Sequence, residues 1–166
     1  MEFWKVCLVI LACIASVTVV QGLTTMDVSN CLTAPGTGFT SNNWAQGYAG
    51  IQTNDGNKLY VKVNINNEME ILHFWGLSEE YRYANINDPG LVSALILANS
   101  ASKYSKLSVN DEKFAIKSVS RVVLTNDIAC DEIVGIVKSH WLDLSSVVRS
   151  QLWNYIGESG PATTYG

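Results

Sequence analysis

The chain has 166 residues, a formal net charge of −4 and 48% hydrophobic residues. That length gives one domain enough chain for a real core. The acidic balance argues against a nucleic-acid partner, because phosphate binding needs clustered Lys and Arg, and Lys103, Lys106, Lys113 and Lys117 are spread among apolar residues.

Residues 1–22 have the layout of a secretory signal peptide. A short start with one Lys, Lys5, precedes an apolar run from Val6 to Val20, and Gln21-Gly22 offers the cut. The run is short of the roughly 20 residues that a spanning helix needs, which favours cleavage over anchoring. Ile10-Leu11-Ala12-Cys13 loosely resembles a lipobox, but the apolar run continues past Cys13. The expected location is therefore secreted or extracellular, or periplasmic if the source is a Gram-negative bacterium, with no membrane span after cleavage. Cys7 and Cys13 leave with the leader. Cys31 and Cys130 remain, and in an oxidising compartment their default state is one disulfide.

Residues 23–46 are rich in Thr, Ser, Asn and Gly and read as a polar loop or extended arm. Residues 47–126 read as a β domain. Tyr48 to Thr53 is a strand ending in the turn signal Asn54-Asp55-Gly56-Asn57. From Lys58 to Ile65 apolar and polar residues alternate, the period of a half-buried strand. Asn66-Asn67 is a second turn, and Glu68 to Trp75 a third strand. After the connection 76–87, Asp88 caps a helix with Pro89 at its first position, where a missing N–H costs nothing. This helix is apolar nearly all round, so burial against the sheet is expected. Strands follow at Tyr104 to Val109 and Phe114 to Leu124. Residues 127–166 form a disulfide-tethered extension, with Asp143 capping a helix whose stripe is Leu144, Val147, Val148, Leu152 and Ile156. Five strands with a helix between the third and fourth give the chain order of an OB-like barrel, a mainly β, α+β class, with a C-terminal helix appended. The rival is an α+β sandwich of the same elements.

Little in the chain suggests chemistry. His73 and His140 are isolated, and no set of three or four ligands has zinc spacing. No Gly-x-Ser-x-Gly elbow or phosphate loop occurs. No catalytic residue, metal or cofactor is assigned. Glu68 and Glu70 share a strand face and, with Glu80, keep a carboxylate hydrolase as an alternative, provided two of them converge on a cleft. The aromatic residues are the better lead. Trp44 and Tyr48 lie near the first strand, and Trp75, Tyr81 and Tyr83 cluster with Arg82 and Asn85 around the 76–87 connection. Flat rings beside amide and guanidinium groups suit a glycan or a protein partner.

The helix Leu91-Val92-Ser93-Ala94-Leu95-Ile96-Leu97-Ala98-Asn99-Ser100, the segment Lys106-Leu107-Ser108-Val109 and then Phe114-Ala115-Ile116 resemble the B-subunit class of subtilase-cytotoxin and pertussis-like toxins. The resemblance implies an OB fold, pentamer formation and binding of cell-surface glycans. The expectation is therefore a non-catalytic secreted binding module for a glycan or cell-surface protein, with homo-oligomer formation open. A further alternative is a subunit that docks through an exposed stripe of Leu144, Val148, Leu152 and Ile156.

Overall fold

The computed structural model describes residues 22–75, 88–110 and 115–156. The signal-peptide expectation falls outside them except for Gly22.

The first helix, α1 (Thr25–Leu32), stands where a polar loop was expected. Thr24 and Asp27 form a reciprocal capping box at its start. Val28 and Leu32 turn into the core. Strands β1 (Phe39–Ala45), β2 (Tyr48–Thr53), β3 (Lys58–Val63) and β4 (Glu68–Trp75) then run as an antiparallel meander. The β1–β2 reversal uses Gln46 and Gly47, both at positive φ, as a tight hairpin demands. Next come α2 (Pro89–Ala101), β5 (Ser105–Asn110), β6 (Ala115–Val123), α3 (Cys130–Gln151) and the single turn α4 (Trp153–Ile156).

The sheet order is β1-β2-β3-β4-β6-β5, antiparallel throughout. The sheet is open: β1 and β5 are edges and do not pair with each other. This corrects the OB-like barrel, although the coarser α+β class holds. The strand missed in sequence was β1. Its residues are mostly polar, because one edge ladder to β2 and a single inward residue, Phe39, hold it.

The described helices lie on one face of the sheet. Two clusters fill the space between. One joins Val28 and Leu32 of α1 to Ile51, Leu59, Val61, Met69 and Ile71 of the strands and Ile133, Val134 and Val137 of α3. The other joins Leu91, Ala94 and Ala98 of α2 to Trp75, Leu107 and Ile116 and to Leu144, Val148 and Leu152. Each fully buried Leu, Ile or Val contributes about 1.5–3 kcal/mol. β4 is central, between β3 and β6, so it is buried along nearly its whole length.

α3 corrects the expected C-terminal helix. It begins at Cys130, not at Asp143, and Asp143 is in its middle. The stripe Leu144, Val148, Leu152 and Ile156 is buried, so docking through it is ruled out. The disulfide Cys31–Cys130 is formed, with Cα atoms 5.1 Å apart, and ties the end of α1 to the start of α3.

Candidate functional site

Of the sequence-nominated aromatics, three lie among the described residues, and the sheet separates Trp75 from Tyr48. Trp75 points to the helical face and is 1% exposed. Tyr48 is on the opposite face and Trp44 on the edge strand. Tyr81, Arg82, Tyr83 and Asn85 lie outside the described residues. Trp75 instead stacks on Trp141 of α3, centroids 5.5 Å apart, with the His73 ring edge-on to both. That cluster is core, and it has no path for an external sugar to stack on Trp75.

His73 completes this core. A backbone carbonyl can only accept, so Nδ1 carries the proton and donates to the Lys58 carbonyl at 2.5 Å. Nε2 has no partner among the described residues and adjoins a void of about 10 Å³, room for at most one water. Burial lowers the His73 pKa to about 4, so the ring is neutral at pH 7. His140 stacks on Tyr104 at 4.4 Å, and burial lowers its pKa too. No group of three His, Cys, Asp or Glu sits together among the described residues.

The opposite face of the sheet carries a polar row. Tyr48 Oη donates to Glu70 Oε1 at 2.5 Å, and Arg121 Nε donates to Glu70 Oε2 at 2.8 Å. Arg121 also lies 3.7 Å from Glu68. Burial alone would raise the Glu70 carboxyl, but the Tyr48 and Arg121 bonds outweigh it and its pKa is lowered. Tyr48, losing water and facing Glu70, is pushed up to about 12. Glu68 and Glu70 do share a face, as the strand period requires. They serve one guanidinium on an open sheet, however, and do not flank a cleft. Committed to Arg121, they do not form the acid–base pair that the hydrolase alternative needed, and Glu80, the third carboxylate of that alternative, lies outside the described residues.

The feature that sequence reasoning missed is the outer side of α2. Its 13 residues contain no charged side chain. One side, Leu91, Ala94 and Ala98, packs into the core. The other presents Val92, Ile96 and Leu97 at 48%, 62% and 57% exposure. An apolar helix is expected to be buried all round; this one is covered by the described residues on one side only. The signal was present in the lack of any polar stripe, but sequence alone could not show that one side lacks a cover.

No family model and no curated protein matches the chain. Among solved structures, the chain is similar to YbjN from E. coli, described there provisionally as a transcription regulator. The TM-score is 0.58 at 15% identity, over 85% of this chain and 98% of that one. At that identity the likeness shows the fold alone. A looser overlap, TM-score 0.40 at 11% identity over 75% of this chain and 87% of the other, is with the HopA1–SchA chaperone–effector complex. YbjN is not a toxin B subunit, and its fold likeness, together with the open sheet, overturns the OB-fold toxin resemblance and the glycan-binding function it carried. Among the described residues, no helix is long and apolar enough to cross a membrane.

Proposed function

We propose that the protein is a protein-docking module that assembles as a homodimer through the outer side of α2. The carrying observation is the uncharged helix with Val92, Ile96 and Leu97 open to solvent. Exposed apolar surface of this kind marks an interaction site.

Charge placement favours a second copy as the occupant. Asp88 caps the start of α2, accepting from Gly90 N at 2.7 Å, and Lys103 lies just past its end, exposed. An antiparallel pair of α2 helices centred near Ile96 brings Asp88 beside the partner's Lys103 at both ends. The two helix dipoles then oppose each other favourably, and the contact is isologous, as a twofold dimer requires. The uncharged face also lets two chains of net charge −4 meet without like charges at their contact. One helix face from each copy buries on the order of 1,000 Å² in total, the low end of specific interfaces, so dimer formation at micromolar concentration is expected.

Light scattering of the disulfide-bonded protein over a concentration series tests this. The mass doubles for the unaltered chain. The Ile96→Asp/Leu97→Asp variant stays monomeric with an unchanged circular dichroism spectrum, and Lys103→Glu weakens association about fivefold or more. A monomer at all concentrations refutes the reading.

The chain is further proposed to work outside the cytoplasm. The apolar leader Val6 to Val20 and the Cys31–Cys130 bridge support that location. N-terminal sequencing of exported protein should begin at Leu23; retention of an intact leader in the cytoplasm contradicts it.

A further inference from the structure

The sheet face that carries no described helix is basic, although the chain is acidic. Strand alternation and register place Lys58 and Lys62 of β3, Lys117 and Arg121 of β6 and Lys106 of β5 together on it. The carboxylates on its strands are Glu68 and Glu70, and both are engaged by Arg121. Lys62 sits over the Tyr48 ring, 5.4 Å from its centroid. Lys58, Lys106 and Lys117 have no ion pair among the described residues. These cations are dispersed along the sequence; the β6 register gathers them.

Their spacing is ordered. Lys117 lies opposite Phe74 on the neighbouring strand, and Lys58 lies two residues before Tyr60, on the same face of β3. The next row holds Tyr60, Leu72, Val119 and Lys106. Leu72, Phe74 and Ala115 are a buried apolar floor, with Tyr48, Tyr60 and Val119 partly buried against it. A visitor to this face thus meets ring edges and a methyl pair between ammonium groups.

We infer that this face receives an acidic, partly apolar protein segment, whose carboxylates meet Lys58, Lys106 and Lys117 while its apolar side chains lie on Tyr60 and Val119. This goes beyond the α2 dimer and uses the other side of the molecule. A nucleic acid fits less well. The half-buried Tyr rings offer little flat surface on which a base could stack.

The test is fluorescence anisotropy with the full disulfide-bonded protein. The probe is a labelled synthetic peptide of about twelve alternating Glu and Leu residues, compared with its Lys-for-Glu counterpart and a labelled single-stranded DNA. The Glu peptide should bind, with affinity falling as salt rises. Lys58→Glu/Lys117→Glu should weaken it about tenfold or more. Lys106→Glu, at an exposed edge position, should weaken it about threefold and serves if the double variant does not fold. Absence of binding by the Glu peptide, equal binding of the Lys peptide, tighter binding of the DNA, or indifference to the substitutions in a folded variant would overturn the inference.

Discussion

Asp143 sits in the middle of α3, yet its carboxylate closes the end of α2: Oδ2 accepts from Ser102 Oγ and Lys103 N, each at 3.0 Å, and from Tyr104 N at 3.4 Å. Ser102 is the C-cap of α2, and its own N–H returns to the Ala98 carbonyl. One side chain therefore fixes where α2 stops, how the chain turns into β5, and how α3 packs across both. Hydrogen bonds to a charged acceptor contribute about 1.5–3 kcal/mol where they are shielded. These are partly exposed, so Asp143→Ala is expected to cost about 2 kcal/mol in urea unfolding with m unchanged. It should also loosen the α2 dimer, since Lys103 is positioned by the same carboxylate. An unaltered midpoint would show that the junction is held by packing alone.

The Cys31–Cys130 bridge spans 99 residues of sequence. In the chain-entropy view, closing a loop of about 100 residues restricts the unfolded chain by about 4–5 kcal/mol. Cys31→Ser/Cys130→Ser is expected to fold, because Val28 and Leu32 hold α1 in the core without the bridge. It should unfold at markedly lower denaturant, and reduction of the unaltered protein should have the same effect. Calorimetry with and without reductant measures this; coincident transitions would contradict it.

How much of this architecture could be read from the chain depends on where local signals were strong. The alternation from Lys58 onward gave β3 because one face meets the core and the other does not. Asp88-Pro89 gave the start of α2, since cap and first-turn chemistry are local. The Cys31–Cys130 pairing followed from the expectation that Cys7 and Cys13 belong to a leader, which leaves two Cys. α1 escaped notice although Thr24 and Asp27 carry a capping box, because its buried residues are few among polar ones. α3 was truncated because Ala129 provides no side-chain cap, whereas Asp143 looked like one. The candidate surfaces were less legible still. The helical periodicity of α2 does not say which side lacks a neighbour, and the basic sheet face exists only once β6 inserts beside β4 and brings residues over 40 positions apart into register.

Gly50 marks a close approach that composition does not reveal. A Cβ there would collide with the Asn43 carbonyl oxygen, where the β1–β2 register shifts between Asn42 and Ala45. The obstacle is backbone, so it cannot swing aside. Gly50→Ala should therefore displace β1 and cost about 1–3 kcal/mol, the range for overpacking a well-fitted site. Gly36→Ala makes a useful contrast: space is open there, and only its positive φ resists the change. Hydrogen exchange should show protection lost along β1 in Gly50→Ala and retained in Gly36→Ala. Equal protection in the two variants would mean that the bulge relaxes freely.

The buried His73 ring makes stability depend on pH in a defined window. Desolvation lowers its pKa to about 4, against a partial offset from the Lys58 carbonyl bond and the Asp55 charge; an unfolded His titrates near 6.5. Above about pH 6.5 the ring is neutral in both states and contributes no pH dependence. Between about 6.5 and 4 the unfolded chain binds the proton and the folded chain does not, so stability falls as pH falls. The gap corresponds to about 3 kcal/mol at the acid end of the window. His140, also lowered by burial, acts in the same direction. The lowered carboxylates Asp27, Asp55 and Glu70 lose their contribution only at lower pH, as they protonate in the folded state. His73→Gln, which cannot titrate, should be less stable at pH 7 because the ring's packing on Trp75 and Trp141 is lost. Its stability should nonetheless be flatter between pH 6.5 and 4. Urea unfolding of both proteins at half-unit pH steps gives the two slopes, and parallel curves would show that the His73 ring takes up its proton in the folded protein as readily as in the unfolded chain.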